Sequence, residues 1–285
     1  NALTSGGGWS GKVMGHARSL IAAVQQKQAD ALLLTTPAAW NRLPNPEAVR
    51  QRIHVVPHGL DTELFSPKPE WDCRENLESE QAQPSILFFA NVVKRKGIHT
   101  LVEAFPGVLR DVPNCKLRIA GSGPDVPEIK ELVEKLGCNQ EVEFLGRKER
   151  SDAPELYRNC TVYCLPSFGE PYGTTVVEAM SCGKALVVTN CGALPHLVHE
   201  QGGLRVPAGD PIALSQALVW LLQHPNERVA MGRYNRQFVQ EKMPWDSVAR
   251  QLEEVYEITL SGQSSSGQKQ KESLSLGIEA QRAAQ

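Results

Sequence analysis

The sequence predicts an α/β fold: a doubly wound parallel sheet of about six strands, preceded by part of a second unit of the same kind. Two observations predict it. From Ser85 to about Val239, short apolar runs alternate with amphipathic stretches at the interval of strand–helix units. The first of those runs, residues 86–90, has no polar break, as expected for a strand covered by helices on both faces.

In order, residues 13–27 are expected as a helix and residues 31–35 and 53–56 as strands. Two strands and a helix cannot close an α/β core alone. Residues 1–60 therefore read as the tail of an earlier domain whose beginning is absent, in keeping with a chain that opens on Asn1. Residues 61–84 read as a linker, because 66–84 carries three prolines and many charges. The main domain, residues 85–242, starts with the strand 86–90 and the helix 97–110, whose Ile98, Leu101, Val102 and Phe105 recur at helical spacing. Strands follow at 116–120, 142–145, 161–165, 185–189 and 203–206. Helices are expected at 126–136, 153–159, 175–182 and 211–222. Together these make a Rossmann-like domain. Residues 243–260 are expected to hold a last amphipathic helix, from Asp246, with Val248, Leu252, Val255 and Ile258 on one side. Residues 261–285, rich in Ser, Gln and Lys, have little to bury and read as a disordered tail.

Composition excludes several classes. Hydrophobic residues make up 41% and charged residues 22%, enough for an ordinary globular core. A net charge of −2 does not suit a protein that coats nucleic acid. No apolar run approaches the ~20 residues of a membrane span, and the polar, Gly-rich start is no secretory signal. Seven cysteines without a C-x-x-C pair suggest free thiols in a reducing compartment and no structural zinc. The expected location is the cytoplasm, compatible with peripheral attachment to a membrane. Cys160 and Cys164, flanking a strand, read as small buried hydrophobes.

In an open parallel sheet, ligands bind outside the carboxyl ends of the strands, so the loops there carry the chemistry. After 161–165 the chain reads Pro166-Ser-Phe-Gly-Glu-Pro-Tyr-Gly-Thr-Thr-Val-Val-Glu178, with seven residues between Glu170 and Glu178. Gly173, Thr174 and Thr175 open a helix, whose unpaired N–H groups and positive end suit a phosphate. Glu178 has a plain alternative, a capping box with Thr175. Glu170, between Gly169 and Pro171, has no evident local structural task. After 86–90, Lys94, Arg95 and Lys96 precede Gly97 at a helix start, where they suit a diphosphate or form a solvated turn. Gly121-Ser-Gly-Pro124 is half of a dinucleotide fingerprint and reads as a tight turn. The stretch from Gly6 to Val13 nearly matches a P-loop, but it lacks the hydroxyl residue after Lys12 and a preceding strand. No Asp-x-Asp clamp and no nucleophilic triad can be read, so no metal is expected.

Taken together, these segments resemble the GT-B glycosyltransferases, and specifically glycosyltransferase family 4, over about residues 29–260. The resemblance rests on Val56-Pro-His-Gly-Leu-Asp-Thr-Glu-Leu-Phe65, on the Lys-Gly segment 94–105, on the strand ends 119–124 and 142–146, on Trp245-Asp246, and above all on the Glu-x7-Glu segment 166–183. It implies a retaining, metal-independent transfer from a UDP- or GDP-sugar donor to an unknown acceptor, with no separate cofactor. It also implies roles: Glu170 would bind the donor sugar's hydroxyls and Lys96 would neutralise the leaving diphosphate. Glu178 would bind the ribose, Gly173, Thr174 and Thr175 the phosphate, and Arg147 the base. Asn91 and Gly121 would line the same site. The chain departs from the family pattern at Ala90-Asn91, where the family has Gly-Arg, and at Ala193 within Gly192-Ala-Leu-Pro-His196. The alternatives are a non-catalytic nucleotide-sugar-binding fragment and a nucleotide-sugar epimerase, which has no signature of its own here. His16 is not assigned the role of the acceptor-side His near the donor sugar.

Overall fold

The computed structural model describes residues 24–69, 71–72 and 83–261. The near-P-loop, His16, Cys73, residues 70 and 73–82 of the expected linker and almost all of the expected tail lie outside them. Backbone contacts divide the chain into two compact units, one spanning Gly59–Ser247 and the other holding the residues up to His58 together with those from Val248.

In the smaller unit, β1 (Leu32–Leu34) and β2 (Ile53–Val55) pair in parallel, Leu32 opposite Ile53. Of the expected helix 13–27, the described part is helical over 24–28. Two 3-10 segments, Pro37–Arg42 and Glu47–Arg52, were not foreseen; the first starts where the Thr36 hydroxyl accepts from the Ala38 N–H at 3.4 Å. They close a small core of Leu34, Trp40, Val49 and Ile53. The helix Trp245–Leu260 sets Val248, Leu252 and Val255 in one cluster with Val56, three of the four residues of the apolar stripe read from the sequence.

The larger unit is one six-stranded parallel sheet in the order β5-β4-β3-β6-β7-β8. Its strands are β3 (Ser85–Phe89), β4 (Lys116–Ala120), β5 (Val142–Gly146), β6 (Val162–Leu165), β7 (Leu186–Thr189) and β8 (Gly203–Val206). The fold class is therefore the one the alternation predicts. β6 and β7 are buried along their whole length, as strands covered by helices on both faces are. The strand order turns between β3 and β6, so the chain leaves these two neighbours in opposite directions across the sheet. A crevice opens at such a point.

Helices cover both faces. Ile98–Asp111 buries Ile98, Leu101, Val102, Phe105 and Val108. At Gly107 a Cβ would stand 2.5 Å from Ser215 Oγ, so glycine lets this helix lie close against Pro211–Gln223. The helix Pro225–Lys242 was missed as an element. Its buried face mixes Val229 and Val239 with Arg228, Gly232 and Asn235. Asn235 Nδ2 donates to Lys184 O at 2.8 Å and to Gly202 O at 2.6 Å, bonds that no helical periodicity reveals. The described part of the expected linker packs on this unit: Phe65 is fully buried and Trp71 lies against Gly183 and Gly232. No helix among the described residues is long and apolar enough to cross a membrane.

Candidate functional site

A cavity of about 440 Å³ lies at the carboxyl ends of β3, β4, β5 and β6. Of the residues singled out from the sequence, Lys96, Glu170, Thr174, Thr175, Arg147, Asn91 and Gly121 line it; Gly173 and Glu178 do not. Phe89, Ala90, Ser122 and Lys148 complete the lining and were not foreseen. Lys148 was legible only as the neighbour of Arg147, and Ser122 as the middle of a turn dismissed as plain.

Local geometry sorts the three cations after β3. Lys94–Lys96 forms a 3-10 turn, which points successive side chains about a third of a turn apart. Lys94 Nζ turns outward to Glu128 at 3.2 Å, and Arg95 Nη1 donates to Gly169 O at 2.8 Å. Lys96 Nζ enters the cavity and meets Glu170 Oε2 at 2.5 Å. The run of cations therefore does not act as a unit. Gly97, at φ 74°, ends the turn. A Cβ there would fall 1.8 Å from Pro166 O, so only glycine lets the two strand-end loops touch. Ser167 Oγ and Phe168 N also donate to Arg95 O, at 3.0 and 2.9 Å. The loop carrying Lys96 and the loop carrying Glu170 are thus one bonded assembly.

Glu170 is not the idle loop carboxylate its sequence context suggests. It is buried and ion-paired, and its backbone carbonyl accepts from Ala193 N at 2.8 Å. Gly192, at φ 62°, lies so close that a Cβ would stand 2.3 Å from Glu170 O. The close backbone approach is made at Gly192, so Ala193 does not disturb it.

The helix Thr174–Ser181 begins at Gly173, whose φ of 98° only glycine adopts readily, and no side chain among the described residues caps it. An uncapped start leaves its first N–H groups for a ligand. The capping-box alternative for Glu178 is wrong. Glu178 Oε2 accepts instead from the Tyr157 hydroxyl at 2.8 Å, and Thr175 Oγ1 accepts from Tyr163 at 2.8 Å. Burial pushes the Glu178 carboxyl above its ordinary value, opposed by the Tyr157 hydrogen bond and the Arg150 charge. Burial also pushes both tyrosines well up, so each stays a hydrogen-bond donor. At the far side, neither Arg147 nor Lys148 makes a hydrogen bond or ion pair with the described residues. The cavity therefore offers two unspent cations, one paired cation and an open helix start, an arrangement for a ligand with several negative charges. Among the described residues no group of three or more His, Cys, Asp or Glu could hold a metal ion.

The sequence profile described as glycosyl transferases group 1 matches residues 69–238, more than half of the chain and every residue lining this cavity. The chain belongs to the group 1 glycosyl transferases. It is 31% identical over 240 residues to the D-inositol 3-phosphate glycosyltransferase of Corynebacterium urealyticum, covering 80% of this chain and 56% of that protein. It is 29% identical to a GDP-mannose-dependent phosphatidylinositol monomannoside mannosyltransferase of Corynebacterium glutamicum, covering 70% of this chain and 55% of that one. The chain thus spans just over half the length of these relatives. Among solved structures, sucrose-phosphate synthase from Thermosynechococcus elongatus superposes with a TM-score of 0.71 at 26% identity, over 87% of this chain and 62% of that one. Anabaena HepE in complex with UDP superposes with a TM-score of 0.75 at 20% identity, over 85% of this chain and 67% of that one, and shows the shared GT-B fold.

The described cysteines of this group 1 member are free; all are buried except Cys191, which is partly so. Burial pushes Cys115 and Cys182 up to about 12. Cys160 and Cys164 are the packing residues their positions suggest.

Proposed function

We propose that this chain is the donor-binding half of a retaining, metal-independent glycosyltransferase of family 4, transferring a sugar from a UDP- or GDP-sugar. Residues 85–242 hold the donor, and residues 1–60 belong to the acceptor-side half. The observation that carries this is the pairing of Lys96 with Glu170 beside the uncapped start of Thr174–Ser181, inside a cavity at the turn of strand order. Breaking a glycosyl–diphosphate bond sends its electron pair to a phosphate oxygen, and a fixed cation with a helix start stabilises that charge in place. In this reading Lys96 and the N–H groups of Gly173, Thr174 and Thr175 receive the diphosphate. Glu170 accepts from hydroxyls of the donor sugar and Glu178 from those of the ribose. Arg147 meets the base. Asn91 and Gly121 line the diphosphate end, and Asn91 contributes no charge there. The acceptor attacks from the face that the diphosphate leaves. The names of the relatives support a nucleotide-sugar donor: one is GDP-mannose-dependent, and one structure of the same fold holds UDP.

The test is thermal stabilisation by a panel of nucleoside diphosphates and nucleotide-sugars. A binder at about 100 times its Kd adds about 2.7 kcal/mol to the folded state. No stabilisation by any member at millimolar concentration sinks the reading. Transfer is then assayed in a chain of the relatives' full length, where donor binding without turnover would leave a binding protein instead of an enzyme.

A further inference from the structure

Tyr157 lies in the helix Ala153–Arg158 and is fully buried, yet it ends on a carboxylate. The rings of Tyr163, Phe89 and Phe65 surround it, with centroids 5.6, 5.8 and 6.2 Å away. That aromatic wall fixes the ring, so the hydroxyl stays aimed at Glu178 Oε2, 2.8 Å away. A carboxylate that accepts from vicinal hydroxyls has to be ionised and held in one orientation. Burial of Glu178 works against the first requirement and leaves the second to its neighbours. Arg150 favours the charge from a distance, but its guanidinium lies over the Phe65 ring at 5.7 Å and does not orient the carboxylate. Tyr157 meets both needs, since a hydrogen bond to the charged form favours that form and fixes its plane.

We propose that Tyr157 is a positioning residue for donor binding: its hydroxyl keeps the Glu178 carboxylate ionised and turned, leaving Oε1 as the acceptor for ribose hydroxyls. This rests on the reading of Glu178 as the ribose-binding group. A Tyr157 that merely satisfies a buried acid would affect all ligands alike.

The experiment compares the wild type with Tyr157→Phe, which removes one oxygen and keeps the ring. Affinities for UDP, GDP and their 2′,3′-dideoxy counterparts are measured by calorimetry from about pH 4 to pH 8, across the carboxylate range. The wild type should prefer the ribonucleotides and lose that preference through an acid limb. In Tyr157→Phe, ribonucleotide binding should weaken about tenfold, the worth of one charged hydrogen bond. Dideoxy binding should hold, and the acid limb should move to higher pH. Equal weakening of both ligand types, or an unmoved limb, overturns the proposal while leaving the ribose reading of Glu178 intact. A wild type that binds both ligand types equally overturns that reading and this proposal together. Should Tyr157→Phe not fold, 3-fluorotyrosine at position 157 replaces it. Its more acidic phenol donates more strongly, so the limb should move to lower pH, and an unmoved limb overturns the proposal.

Discussion

Glu170 and Glu178 stand at the two ends of one turn and half a helix, and each is 6% exposed, but different partners hold them. Glu170 is paired with a cation from the neighbouring loop, Lys96, whose side chain is 14% exposed and lines the cavity. Glu178 is held by a neutral phenol in the core. The cation is a partner that an entering diphosphate can compete for. The phenol is one that no ligand reaches. A buried ion pair left without one member is costly, whereas a buried acid on a neutral donor can shed its cost by taking up a proton. One end of the segment is thus built to exchange partners and the other to keep them.

The largest break in this contrast is Lys96→Ala. It leaves Glu170 buried without its charge partner and should lower stability by about 3 kcal/mol in chemical denaturation. It should also abolish diphosphate binding. A loss below about 1 kcal/mol would mean that the pair is solvated in practice and that the two carboxylates are not held differently.

Gly192→Ala attacks the Glu170 end through the backbone alone. The new Cβ would stand 2.3 Å from Glu170 O at a φ of 62°, so a loss of about 2 kcal/mol is expected. Wild-type stability in that variant would show that the turn relaxes freely.

Glu178→Gln sharpens the other end. Because burial raises the folded-state pKa of Glu178, the folded chain binds its proton more readily than the unfolded chain does. Stability from this group is therefore present at low pH and falls as pH rises from the unfolded value to the folded one. Glu178→Gln should remove that fall. Its melting temperature relative to wild type should climb through the window just above the ordinary carboxylate range and level off beyond it. A difference that does not vary with pH would contradict the assignment.

The smallest effect belongs to Arg147→Ala. An exposed side chain with no partner among the described residues should change stability by less than about 0.5 kcal/mol while weakening nucleotide binding. A clear loss of stability would show that Arg147 serves the fold and not the ligand.

The fold was legible to the extent that burial leaves a pattern. β4 and β8 have the limits read from the sequence, although Lys116, Arg118 and Arg205 leave both strands only partly buried. The helix Pro225–Lys242 had a broken pattern, since arginine, glycine and asparagine share its buried face with Val229 and Val239. At the site, a spacing of seven residues marked Glu170 and Glu178, and a glycine marked the helix start. Lys148 and Ser122 carry no local signal, because only the meeting of β4 and β5 puts them on the cavity.

By itself the sequence determined the alternation of strands and helices, the loops that would hold the chemistry, and the residue types in them. These are local properties, set by periodicity of 2 or 3.6 and by the few residues that tolerate a positive φ. Only the tertiary structure decided which of three adjacent cations entered the cavity and which partner each glutamate received. Lys96 and Glu170 are 74 residues apart, as are Arg95 and Gly169, and Tyr157 and Glu178 are 21 apart. Such pairs are made by the order of strands in the sheet, and no window of sequence holds both members.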